Sequence, residues 1–179
     1  SFTAHSITTS ADGAHSVFSA DIDSDGDLDV VSSSQGDDKI AWYESDGAAD
    51  PSFTARTITT STDGASYAFA IDIDKDGDLD IFSASQNDDK IAWYESDGAA
   101  DPSFTARSIT TSADGAISLH AADIDSDGDP DIISASWNDD KIALYKGFID
   151  NTAPTMTITA VNASGTAVAN NARTMDSTL

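Results

Sequence analysis

The sequence predicts an all-β fold built from three copies of one four-stranded unit, and three observations predict it. One phrase returns at a fixed spacing: FTAHSITTSADGA at Phe2, FTARTITTSTDGA at Phe53 and FTARSITTSADGA at Phe104, a period of 51 residues. Within each copy, short runs of β-branched, aromatic and small residues alternate with Asp-Gly, Asn-Asp and Pro turn signals, which is how strands read. No segment sustains the 3.6-residue apolar period of a helix.

The repeat organises everything else. The first two copies agree at 38 of 51 positions, and IAWYESDGAADPSFTA recurs unchanged across both junctions. In the second copy the predicted strands are Thr54–Thr60, Tyr67–Asp72, Leu79–Ser85 and Lys90–Glu95. Two of these runs contain Phe-Ala-Ile-Asp-Ile and Asp-Ile-Phe-Ser-Ala, apolar on nearly every residue, so both faces of those strands should be covered. Four strands in a repeat of this length is the pattern of a β-propeller blade, a small sheet whose faces are buried by its neighbours. The inner strands would be Ser16–Asp21, Tyr67–Asp72 and Ser118–Asp123, and the phrase at Phe53 or Phe104 the outermost strand of the preceding blade. On that phasing the chain starts on an outer strand, Phe2–Thr9, and its third blade lacks one. Propellers usually have roughly four to eight blades. Three predict a partial or open propeller, with further copies in a longer parent or self-association through open blade edges.

Residues 1–150 carry the repeats, as 1–52, 53–103 and 104–150, and residues 151–179 form a linker and tail. The tail has one alternating segment, Thr155–Val161, and too little apolar mass for a core of its own.

The chain has 32 acidic residues against 8 basic ones, a formal net charge of −24, and only Glu44 and Glu95 among the acids are Glu. Asp in place of Glu favours turns, caps and metal loops over helices. So negative a field argues against nucleic acid or an anionic membrane as partner and favours cations. The chain has no cysteine, which excludes disulfides and thiolate metal sites, and no apolar run of membrane-spanning length.

The chemistry concentrates in three loops of pattern D-x-D-x-D-G-x-x-D. Alternate Asp side chains at positions 1, 3 and 5 converge on one point if the chain curls, and the Gly at position 6 permits the curl. The expected side-chain ligands are Asp21, Asp23, Asp25 and Asp29, then Asp72, Asp74, Asp76 and Asp80, then Asp123, Asp125, Asp127 and Asp131. Asp27, Asp78 and Asp129 are expected to contribute backbone carbonyls. Two carboxylates ~4 Å apart repel by roughly 4 kcal/mol at an effective dielectric near 20, so four clustered ones call for a cation. Ca²⁺ suits flexible all-oxygen sites, whereas Mg²⁺ demands a tight octahedron and dehydrates reluctantly. The expectation is three Ca²⁺ ions, one per repeat. An EF-hand is excluded, because position 12 is Ser32, Ser83 or Ser134 instead of Glu.

ADIDSDGDLDVVSSS followed by KIAWYES resembles the FG-GAP-type repeat of bacterial VCBS-repeat proteins, related to the propeller of integrin alpha subunits. The resemblance covers residues 1 to about 146. It implies Ca²⁺ in the hairpin between the first and second strands of each blade, away from the ligand face, and a large secreted or surface protein. The literal Phe-Gly and Gly-Ala-Pro of the integrin version are absent. The tail resembles the first strand of a bacterial immunoglobulin-like domain.

Trp42 and Trp93 fall in strands and read as packing residues. Trp137 falls in a turn where the other repeats have Gln35 and Gln86, beside Asn138 and Asp139. It either stacks on a sugar ring at a ligand face or covers a seam between blades. The recurring Asp37-Asp38-Lys39 group reads as a charged turn, and His5, His15 and His120 do not recur in register. No non-repeated acid–base cluster is found, so no catalytic residues are expected. The leading expectation is a calcium-binding structural or adhesion module of an extracellular protein, with a carbohydrate or surface protein as partner. The alternatives are part of a secreted polysaccharide-degrading enzyme of the lyase type, and a calcium sensor.

Overall fold

The computed structural model describes residues 1–147, 160–161 and 167–168. The chain divides into two units, Ser1–Gly147 and Phe148–Leu179.

In the first unit every described element is a strand. The first sheet joins β1 (Ala14–Ala20), β2 (Asp29–Ser34), β3 (Lys39–Ser45) and β4 (Phe53–Thr59) in that order, all antiparallel. The second joins β5 (Ala65–Ile71), β6 (Asp80–Ser85), β7 (Lys90–Ser96) and β8 (Phe104–Thr110) in the same way. The third has three strands, β9 (Ala116–Ala122), β10 (Asp131–Ser136) and β11 (Lys141–Tyr145). The sheets do not close into a barrel, and the arrangement is that of partial or open propeller blades. The first two blades take their fourth strand from the next repeat of sequence, and among the described residues the third blade has three strands, as the phasing predicts.

One expectation fails. Phe2–Thr9 forms no strand, although it repeats the sequence of β4 and β8 almost residue for residue. The physical reason is the missing partner. β4 is extended because it pairs with β3, and β8 because it pairs with β7. Among the described residues no strand pairs with Phe2–Thr9, and a strand without a ladder has nothing to satisfy its backbone but water.

In the second blade the middle strand is buried on both faces because a blade packs on each side. Every residue of β6 is buried. Ile22, Val31, Ile40 and Trp42 of the first blade pack with Ala65, Ala68, Ile81 and Tyr94 of the second. Phe69, Phe82 and Ile91 pack with Ala113, Ala116, Leu119 and Ile132 towards the third. Small residues let the inner strands approach closely. The Ser66 hydroxyl sits between the carbonyl of Ala84 in its own blade (3.0 Å) and that of Ala116 in the next (2.7 Å). Ser16 Oγ accepts the amide of Ala68 at 2.9 Å.

A second link joins consecutive blades. Asp38 ends the turn between β2 and β3 in the left-handed region, with φ 54°. Its carbonyl accepts both the amide and the hydroxyl of the fully buried Thr62, and its Oδ1 accepts the amide of Gly64 at 2.9 Å. Asp89 repeats this one blade on, holding the amides of Ala113 and Gly115. What reads as a charged turn in sequence is therefore a clasp between blades.

In the second unit, Ala160–Val161 (β12) pairs antiparallel with Ala167–Val168 (β13). The rest of the expected Thr155–Val161 strand lies outside the described residues. No described helix is long and apolar enough to cross a membrane.

Candidate metal centres

Each Asp loop connects the first and second strands of its blade, β1–β2, β5–β6 and β9–β10. The curl is written into the backbone. Position 4 lies in the left-handed region in all three loops, with φ 60° at Ser24, 63° at Lys75 and 64° at Ser126. Position 6 reaches φ 98° at Gly26, 103° at Gly77 and 99° at Gly128. A Cβ on Gly77 would meet nothing within 4 Å, so glycine is required there for its backbone freedom and not for space.

The carboxylates hold the curl from inside. Asp21 accepts the amides of Asp25 through Oδ1 and of Gly26 through Oδ2, each at 3.0 Å. Asp25 Oδ1 accepts the amide of Asp27 at 2.9 Å. The second and third loops repeat two of these three bonds: Asp72 accepts from Gly77 and Asp76 from Asp78, then Asp123 from Gly128 and Asp127 from Asp129.

Carboxylate oxygens thereby gather at one point per blade. Asp21, Asp23 and Asp29 form one group, Asp72, Asp74 and Asp76 a second, and Asp123, Asp125 and Asp127 a third, each with ligand atoms within 4.8 Å of one another. Hard oxygens alone make up the donor set, which suits a hard divalent cation. Asp72 Oδ1 is buried and has no hydrogen-bond partner.

Position 9 has a task of its own. Asp29 is fully buried; its Oδ2 accepts the amide of Ile22 at 3.0 Å and its Oδ1 that of Ser45 at 2.8 Å. Asp80 accepts from Ile73 and Ser96, and Asp131 from Ile124 and Gly147. These carboxylates tie the loop's first turn to the end of the third strand, and each oxygen keeps a second lone pair. Position 7 points elsewhere. A Cβ on Gly47 would come within 1.9 Å of Asp27 Oδ2, and one on Gly98 within 1.9 Å of Asp78 Oδ2, so those side chains lie against the turn that follows the third strand.

Without a cation the clusters are electrostatically uncomfortable. Burial pushes the Asp80 carboxyl up to about 7, with the charge of Asp74 adding to it. Asp23 and Asp74 are raised as well, first by burial and then by neighbouring carboxylates. The third loop differs, because Lys146 Nζ lies 2.7 Å from Asp125 Oδ2 and holds that carboxyl below its ordinary range.

The other singled-out residues lie apart from these loops. Trp42 is buried, and Trp93 is partly covered; each carries an arginine over its ring, Arg56 or Arg107, at 5.2 Å. Trp137 and Asn138 sit in the turn between β10 and β11, at the end of β10 away from the Asp loop, and Trp137 is 70 % exposed. Asn138 Nδ2 donates to Asp114 Oδ1 at 2.9 Å, as Asn87 does to Asp63. Sequence reading missed Asp38 and Asp89; their signal was recurrence at a fixed place just before the third strand.

The FG-GAP-like repeat family matches the chain at two tandem positions, residues 21–83 and 72–134, each running from one Asp loop through the next. No curated relative matches it. With three Asp loops on three successive blades and a match spanning more than half of its length, the chain belongs to the FG-GAP-like repeat family.

Proposed function

We propose that the chain is a calcium-stabilised structural module of a secreted or cell-surface protein, with no catalysis of its own. Calcium in the three Asp loops rigidifies blades whose opposite turns are free to present binding residues. The observation that carries this reading is Asp72 Oδ1, a buried carboxylate oxygen with no donor, set among acidic neighbours in a curled loop. Burying such an atom unpaired is costly, and a divalent ion removes the cost. A bound Ca²⁺ would supply two positive charges at each cluster. Asp21, Asp23 and Asp29 would hold it in the first loop, Asp72, Asp74 and Asp76 in the second, and Asp123, Asp125 and Asp127 in the third, while the position-9 carboxylates would also keep each loop closed around it.

The extracellular setting is supported by the family, whose repeats are typical of extracellular proteins. The lyase-type alternative needs an acid–base cluster that occurs once. Among the described residues the acidic groups of metal-site geometry recur once per blade.

Thermal unfolding in EDTA, in Ca²⁺ and in Mg²⁺ tests the proposal. At free calcium tenfold above Kd each site adds ~1.4 kcal/mol, so three add about 4. The melting temperature should fall sharply in EDTA and return with Ca²⁺ more than with Mg²⁺. A melt indifferent to chelation would end the calcium reading.

A further inference from the structure

The seam between the first two blades contains a cleft of about 200 Å³, and both of its sides are described. One side is Thr59, at the end of β4, with Ser61 after it; the other is Lys90 and the paired strands β7 and β8. Across that ladder Ala92 faces Ser108 and Tyr94 faces Ala106, so these four stand on one face of the second sheet. Three of the four are Ala or Ser, and their small size leaves the space. The cleft shares no residue with the metal centres.

Polar groups on the cleft have bonding capacity to spare. Tyr94 is 3 % exposed. Its hydroxyl has the Thr59 hydroxyl beside it and Ser83 Oγ at 3.4 Å, longer than the roughly 2.7–2.8 Å of an ordinary bond between hydroxyls. A buried hydroxyl without a good bond costs free energy, and a guest that bonds to it removes the cost. Lys90 Nζ donates to the Ser61 carbonyl at 2.8 Å and pairs with Asp88 Oδ2 at 3.1 Å, which leaves one of its three N–H donors.

Charge, polarity and size select the guest. Lys90 has Asp88 and Arg107, which also lines the cleft, has Glu95, so each cation there is already neutralised. The chain's net charge of −24 repels anions. An apolar guest would strand the hydroxyls and the ammonium group. The space equals about seven water volumes and falls below the roughly 300–1,000 Å³ of drug-sized sites. A compact neutral polyol with apolar C–H faces meets all of these conditions. We propose that this cleft holds one neutral sugar unit of hexose size, bonded by Tyr94, Thr59, Ser108 and Lys90 and resting on Ala92 and Ala106. Sugar binding at this seam is a function beyond the metal loops and uses none of their carboxylates.

Amide-resolved NMR titration of the full chain in calcium-containing buffer tests the proposal. The neutral probes are the methyl glycosides of glucose, galactose and mannose, and the charged probe is glucuronate. At least one neutral glycoside should shift the amides of Ala92, Ala106 and Ser108 saturably, with a Kd in the millimolar range, and glucuronate should bind about tenfold or more weakly. Ala106→Leu fills the cleft from an exposed position and should weaken binding by about tenfold or more. Tyr94→Phe removes one hydroxyl, keeps the ring and should weaken binding about two- to tenfold. Both variants should keep the parent's melting transition and its amide pattern away from the cleft. No saturable shift with any neutral glycoside, glucuronate binding as tightly as the best of them, or either variant binding as the parent does would overturn the proposal. The melt in EDTA reads the calcium proposal alone, so the two fail separately.

Discussion

Lys75, in the Asp loop of the second blade, reaches Asp129 in the loop of the third, with Nζ 2.9 Å from Oδ1 and a further bond to the carbonyl of Gly128. The first and third loops have Ser24 and Ser126 at that position. The third loop thus receives two lysines: Lys146 of its own blade competes with a cation for the clustered Asp125 carboxylate, while Lys75 of its neighbour adds positive charge at Asp129, beside the cluster. Calcium titration by calorimetry should resolve one weak site against two stronger ones. Lys146→Glu, which restores the residue found in the first two blades, should tighten the weak site by about two- to fivefold at low ionic strength. Three identical sites in the parent, or no change in the variant, would contradict this.

Gly77→Ala isolates the backbone contribution to a metal loop. Nothing stands within 4 Å of the new methyl, but φ is 103°. An L-residue there costs about 1–3 kcal/mol of strain. The expected outcome is weaker calcium binding at the second loop with the other two unaffected. Gly98→Ala should act differently, because its methyl collides with the Asp78 carboxylate and displaces the side chain.

The aromatic packing of the second blade predicts a large core effect. Phe82 is buried, with ring centroids 5.4 Å from Phe69 and 6.2 Å from Trp93. Phe82→Ala should destabilise the chain by about 3–5 kcal/mol, read as a shift of the urea midpoint at constant slope. Thr62→Val, which removes one donor to the Asp38 carbonyl and keeps the shape, should cost about 1 kcal/mol.

Acid should loosen the turns between third and fourth strands. Asp46 accepts the hydroxyl of Ser52 at 2.6 Å and the amides of Ala48 and Ser52, and Asp97 repeats the arrangement with Ser103. These bonds hold both carboxyls below their ordinary value, the serine hydroxyl first among them. A lowered folded pKa contributes stability above the unfolded value of 3.8, and that stability is lost as pH falls through the folded value. The difference in melting temperature between the parent and the double variant Asp46→Ala, Asp97→Ala, which lacks these two carboxyls, should therefore shrink as pH falls from about 5 to about 3.

Much of the blade was legible because its signals are local. Strand runs, Asp-Gly turns and the position-6 glycine each act within a few residues, and β6 and β7 lie within a residue of their predicted bounds. The failures concern partners. Phe2–Thr9 carries the residues of a strand, but a strand is a relation between two segments, and no described segment pairs with it. Asp38 looks like any charged turn residue, and only its left-handed φ and its bonds to Thr62 and Gly64 show it to be a clasp. Position 9 was read as a ligand, and nothing in the sequence indicates that its carboxylate also receives two amides from separate parts of the blade.

The fourth strand of each sheet is encoded in the repeat after it, and this shapes how such chains can lengthen. Duplicating any window of 51 residues, wherever the breakpoints fall, hands its predecessor an outer strand and carries forward one incomplete sheet. Recombination within the array therefore never orphans an interior strand, and an error in copy number changes only how many sheets stand in the row.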